Sequence, residues 1–123
     1  PVLERYNQDR ADDFKIKVVK HAGTLLLRYR LKPMHNVYEL ETRLPADYPT
    51  IPPETRVITL LDFCPHLLDG QVLCMWKQGS TRETSRWDPA KFTCVFAVQA
   101  AWRWLACYEV WRDTGDWPLP DAK

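Results

Sequence analysis

Apolar and polar residues alternate along the first half of the chain and give way to a helical spacing in the second. Phe14, Ile16 and Val18 alternate with Lys15 and Lys17, and Leu25, Leu27, Tyr29 and Leu31 alternate with Leu26, Arg28, Arg30 and Lys32. A period of two marks a strand with one face buried, so both segments are predicted strands. From Val37 to Leu44 the inward set is Tyr38, Leu40, Thr42 and Leu44, with Glu39, Glu41 and Arg43 outward, which predicts a third strand. One antiparallel register sets Arg28 against Glu41 and Arg30 against Glu39. The same register brings Tyr29 against Leu40 and Leu31 against Tyr38, closed by a loop from Pro33 to Asn36. A fourth strand is expected over about Arg56 to Leu61, entered through Tyr48-Pro49-Thr50-Ile51-Pro52-Pro53, whose prolines fix φ and lack the N–H a ladder needs. A loop-rich stretch then runs to Trp87.

Asp88 as N-cap and Pro89 at the first helical position predict the start of a long helix, which stops near Gly115, ahead of Pro118. On its wheel Phe92, Val95, Phe96, Trp104, Cys107, Tyr108 and Trp111 form a broad apolar arc, and Gln99, Arg103 and Asp113 a narrow polar stripe. Such a helix is covered on most sides. Trp102 falls roughly 60° from the middle of the stripe, as a partly exposed core aromatic or as an interface anchor. The expected fold is α+β: a four-stranded antiparallel meander packed on one long helix, with the reactive loop between them. Residues 1–123 read as one domain with its core at about 14–118.

Composition narrows the class. With 123 residues, one real core is within reach, burying roughly two-thirds of the unfolded surface. Lys plus Arg number 17 against 16 Asp plus Glu, so no long-range field draws in nucleic acid or an anionic membrane. No run approaches the ~18 apolar residues of a spanning helix, and Pro1 to Asp13 is polar rather than signal-like, so a cytoplasmic location is expected. Six tryptophans and a full apolar core remove the need for disulfide staples, and the four cysteines are expected as free thiols.

Reactive side chains concentrate between the fourth strand and the helix: Cys64-Pro65-His66, Asp69-Gly70 and Cys74-Met75-Trp76. Loops on a rigid scaffold are the usual seat of function. Taken alone, these residues leave several readings open. A zinc site of Cys64, His66 and Cys74 lacks paired-ligand spacing, and a Cys74–His66 hydrolase dyad has no Asn or Asp placed to orient the base. Cys74 could equally be a small buried hydrophobe, which is the expected role of Cys94 and Cys107 within the helix. Asp69-Gly70 reads as a turn, and Lys77 as a solvated lysine within reach of Cys74 for self-acylation. The four glycines are scattered and form no phosphate cradle, so an activated acyl group has to come from elsewhere.

The order of these features resembles the ubiquitin-conjugating enzyme family. That family shows a strand meander, a Tyr-Pro-x-x-Pro-Pro stretch, a His-Pro-Asn turn, a catalytic Cys eight residues after the Asn, and a Trp-x-Pro opening a helix. Here stand Tyr48-Pro49-Thr50-Ile51-Pro52-Pro53, Cys64-Pro65-His66, Cys74 eight residues beyond His66, and Trp87-Asp88-Pro89. The resemblance implies a thioester carrier at Cys74 and places His66 where the family has its Asn, as an N–H donor to the loop or to an oxyanion. Trp76 stands where many members carry an acid, and the interval from Cys74 to Trp87 is longer than in common eukaryotic members. The ending from Tyr108 to Pro118 is similar to the bacterial branch found beside cGAS-like cyclic-oligonucleotide synthases in anti-phage (CBASS) operons. This implies a cargo at the C-terminus of a cGAS-like nucleotidyltransferase, or of a ubiquitin-like protein, with a separate adenylating enzyme as donor. No cofactor or metal is implied. The alternative is a non-catalytic partner-binding module of the same fold.

Overall fold

The computed structural model describes residues 2–48, 50–75 and 93–118. Inward alternation builds its sheet. β2 (Thr24–Leu31) and β3 (Tyr38–Leu44) pair antiparallel with Arg28↔Glu41, Tyr29↔Leu40, Arg30↔Glu39 and Leu31↔Tyr38, which is the register expected from the charges. Leu27, Tyr29, Leu31, Tyr38 and Leu40 are all buried on the inner face. Outside, Arg28 Nε lies 3.0 Å from Glu41, Arg56 also reaches Glu41 at 3.4 Å, and Arg30 lies 3.9 Å from Glu39. Such exposed pairs are worth about 1 kcal/mol or less each, so they select the register while apolar burial stabilises it. The ladder ends at Leu31↔Tyr38, so the connection takes residues 32–37 rather than 33–36.

Among the described residues the sheet holds six strands, not four, in the order β1 (Lys17–His21), β2, β3, β4 (Glu54–Val57), β6 (Val72–Leu73) and β5 (Leu67–Leu68). The additions are β5 (Leu67–Leu68) and β6 (Val72–Leu73), which pair with each other inside the stretch expected to be loop. Strands of two residues leave no periodicity to read. β1 (Lys17–His21) begins later than expected, because Asp12–Phe14 coil into a 3-10 turn. Ile16 is buried, with its N–H and C=O both held by the Asn7 amide at 2.7 and 3.0 Å. Val18, expected inward, is exposed, since β1 is an edge strand. Asn7 closes a short helix, α1 (Val2–Asn7), which the polar N-terminus did not suggest.

β4 is Glu54–Val57 rather than Arg56–Leu61. It starts as soon as Pro53 has passed, with Thr55 and Val57 buried and Glu54 and Arg56 outward. Thr42 accepts a place in the apolar face because its hydroxyl bonds both Tyr29 (2.6 Å) and Thr55 (2.8 Å), a buried chain across three strands. After Val57 the chain is fastened to β3 through Glu39, whose C=O accepts from Ile58 N–H at 2.7 Å and whose N–H donates to the Thr59 hydroxyl at 2.9 Å.

α2 (Cys94–Thr114) crosses the inner face of this sheet. Its start corrects the expectation, because Thr93 is the N-cap, in extended backbone, and its side chain accepts from Phe96 N–H. Asp88, Pro89 and Phe92 lie outside the described residues. The stop is as expected: Gly115 takes φ +83° and donates to Trp111 C=O at 2.7 Å, a left-handed cap that glycine adopts without Cβ strain. The deepest helix residues are Ala97, Val98, Ala101, Leu105 and Tyr108, whereas Val95 and Phe96 are only half-buried. A wheel weighted by side-chain size passes over the alanines that let the helix backbone approach the sheet. Glu109 is also buried, its Oε1 accepting from His35 N–H at 3.1 Å and from the Asn36 amide at 3.4 Å. Trp102 remains 46% exposed on the outer side. Among the described residues no helix is long and apolar enough to cross a membrane.

Candidate active site

β5 and β6 form a tight hairpin, and its register explains the eight-residue spacing. Leu67 pairs Leu73 and Leu68 pairs Val72, so the next position outward sets His66 across from Cys74. The Cys74 N–H donates to the His66 C=O at 2.9 Å, which closes that extra rung. Residues opposed through such a bond have Cα atoms about 5.5 Å apart in a regular ladder. A spacing of eight is thus two strands folded about residues 69–71, and its product is a thiol-bearing residue fixed beside an imidazole-bearing one.

The turn is built from uncommon backbone. Gly70 has φ +73° and Gln71, a residue with a Cβ, has φ +62°. A Cβ at Gly70 would meet nothing within 4 Å, so the need for glycine there is conformational rather than steric. Gln71 has no such freedom, and its side chain supplies the compensation. Its Nε2 donates to Val57 C=O (2.8 Å) and Thr59 C=O (2.9 Å), while its Oε1 accepts from Leu61 N–H (2.8 Å). One amide therefore ties the hairpin to the chain leaving β4. Reading residue types could not find it, since a glutamine after Asp-Gly looks like any polar turn residue.

The other side of the site is tied to α2. Asp62 N–H donates to the Tyr108 hydroxyl at 2.8 Å, and the Asp62 carboxylate meets Arg112 at 3.2 Å. His66 itself has φ +63°, a left-handed conformation that favours glycine. Its ring packs on Trp117 with centroids 5.1 Å apart. The turn at Gly115 is what returns Trp117 to this place, another partner that the sequence reading did not assign.

The four thiols are all free and differ in setting. Cys64 is 4% exposed, and burial, with the Asp62 carboxylate adding to it, pushes its thiol up to about 11. Cys107 is buried in α2 and Cys94 sits at the α2 N-terminus beside Tyr48. Burial pushes both thiols up, partly offset by Arg103 for Cys107 and by hydrogen bonds for Cys94. Cys74 is partly exposed at the free end of β6, followed by buried Met75. Among the described residues no three His, Cys, Asp or Glu side chains converge as a metal site requires, so the Cys64–His66–Cys74 ligand set is not assembled. Trp76, Lys77 and Trp87 lie outside the described residues.

A thiol presented beside a His backbone, at the edge of a sheet capped by one long helix, suits acyl transfer through a thioester. Comparison with curated proteins returned no match. A family profile did match: that of the Type II CBASS E2 protein, over residues 5–123. The match spans every strand and the whole of α2, and by it the chain belongs to the Type II CBASS E2 family, ubiquitin-conjugating-like enzymes that form thioesters in CBASS anti-phage defence.

Proposed function

We propose that Cys74 is the acyl carrier of this enzyme and that His66 is its positioned donor. The observation that supports this most is the rung between the two residues, the 2.9 Å bond from Cys74 N–H to His66 C=O at the open end of the β5–β6 hairpin. In the reaction the Cys74 thiolate attacks the carbonyl carbon of an activated C-terminus, a C–S bond forms, and the donor's leaving group departs. In the transition state the carbonyl oxygen takes up negative charge. An imidazole N–H at His66 stabilises it, and losing one such donor typically costs about 2.7–4 kcal/mol, a hundredfold or more in rate. Transfer follows when an acceptor amine displaces the thiol.

Membership of the family implies association with a cGAS-like nucleotidyltransferase. The finer reading is that the C-terminus of this synthase is the cargo, delivered by a separate adenylating enzyme, with a ubiquitin-like C-terminus as the other possible cargo. The test is to mix the protein with the synthase and an activating enzyme and examine adducts on gels. Wild type should give an adduct removed by reductant, Cys74→Ser a reductant-resistant one or none, and Cys74→Ala none. His66→Ala should stay folded and load at least a hundredfold more slowly. An adduct that persists in Cys74→Ala would refute the carrier, and normal loading of His66→Ala would refute the donor.

A further inference from the structure

We infer that Trp117 is a positioning residue for the reaction, acting through the His66 imidazole; this rests on His66 being the donor proposed above. Three observations carry it. The first is backbone strain: His66 holds φ +63°, a left-handed conformation that L-residues with a Cβ avoid, so its conformation has to be imposed by its surroundings. The Cys74 N–H bond fixes its carbonyl but leaves the direction of the ring to other contacts.

The second is a continuous aromatic run from the core to that ring. Tyr108, 1% exposed, stacks on Trp104 at 6.0 Å with planes 12° apart. Trp104, itself buried, meets Trp117 edge-on at 5.1 Å, and Trp117 meets His66 at 5.1 Å with planes 55° apart. The imidazole thus leans on a side chain that leans on the helix core. The third is that the segment carrying Trp117 is itself fastened. Gly115 turns the chain back, the Asp116 N–H donates to the Thr114 hydroxyl at 3.1 Å, and that hydroxyl donates to the Val110 C=O at 2.9 Å. This support comes from beyond the end of α2.

A donor is worth most when it is already aimed before charge develops. The indole narrows the orientations open to the imidazole, so without it the oxyanion meets the N–H a smaller part of the time. The expected loss is about tenfold, short of the hundredfold for removing the donor altogether. The probe is the thioester of N-acetylglycine with mercaptoethanesulfonate, followed by intact mass. The Cys74 sulfur bonds the carbonyl carbon, the bond to the mercaptoethanesulfonate sulfur breaks, and that thiolate takes up the proton the Cys74 thiol gave to buffer.

Trp117→Ala should acylate about tenfold more slowly than wild type, and Trp117→Phe, which keeps an aromatic face, should recover most of the loss. In a His66→Ala background, Trp117→Ala should cost nothing more. A tenfold loss that persists in that background would make Trp117 a structural residue and overturn the inference while leaving His66 as donor. A wild-type rate in His66→Ala alone would instead remove the donor reading on which the inference stands. An independent readout is NMR of the wild-type protein, which should show His66 ring protons shifted upfield by the indole and in NOE contact with it. Absence of both would overturn the stacking whatever the kinetics give.

Discussion

Replacing Gln71 by Ala removes three hydrogen bonds at once, to Val57 C=O, Thr59 C=O and Leu61 N–H, all between 2.8 and 2.9 Å. At about 1 kcal/mol net for each, the loss is roughly 3 kcal/mol. The left-handed backbone strain is the same for Gln and Ala, so it cancels. Gln71→Gly loses the same bonds but relieves strain of about 1–2 kcal/mol, and should therefore be the milder variant by that amount. A domain of this size has about 5–15 kcal/mol in hand, so both variants stay folded. Interpolating between smaller and larger domains, each kcal/mol moves the melting temperature by roughly 3–5 °C, and Gln71→Ala should melt about 10 °C lower. Urea titration gives the free energy, and amide exchange at Leu61 reports the clamp itself. If Gln71→Ala lies within about 0.5 kcal/mol of the parent with Leu61 exchange unchanged, the amide is not what ties the hairpin to β4.

Two further outcomes follow from the thiols. Iodoacetamide at pH 7.5 should alkylate Cys74 first, because Cys64, with its thiol near 11, holds less than about one part in a thousand as thiolate and is buried as well; peptide mapping that finds Cys64 modified first would contradict this. Stability should also fall at alkaline pH. Cys64 has a folded value raised to about 11, so its contribution is complete below the unfolded value near 9 and is lost as pH rises through 11, on the order of 2–3 kcal/mol. Tyr38, pushed up to about 12 chiefly by burial, extends the fall from about 10 to 12. Denaturation against pH should give a shallower slope between 9 and 11 for Cys64→Ala, and an unchanged slope would be inconsistent with the burial.

What could be read in the sequence was whatever repeats along an element. The β2–β3 register was legible because Arg28, Arg30, Glu39 and Glu41 alternate with apolar residues over a long enough run to admit one pairing. Gly115 was legible because a glycine past the last helical residue has one common use. The β5–β6 hairpin was not, since two-residue strands carry no period; only the spacing from His66 to Cys74 betrayed it, and that was read by resemblance before its cause in the register was visible. Gln71 and Trp117 were not legible at all, because their partners are backbone groups and a ring distant in sequence. The β4 boundary was missed because Ile58 and Leu60 look like strand residues yet are exposed, Leu60 at 87%. Where β4 ends, the Gln71 amide rather than a neighbouring strand bonds the carbonyls of Val57 and Thr59.

Which sulfur is acylated decides whether Cys74 is the carrier. Wild-type protein incubated with the N-acetylglycine thioester should gain one acyl group, and tandem mass spectrometry of a digest at low pH should place it on Cys74 as a hydroxylamine-labile thioester. Acylation mapped to Cys64, or an unchanged acylation rate in Cys74→Ala, would contradict the assignment of the carrier.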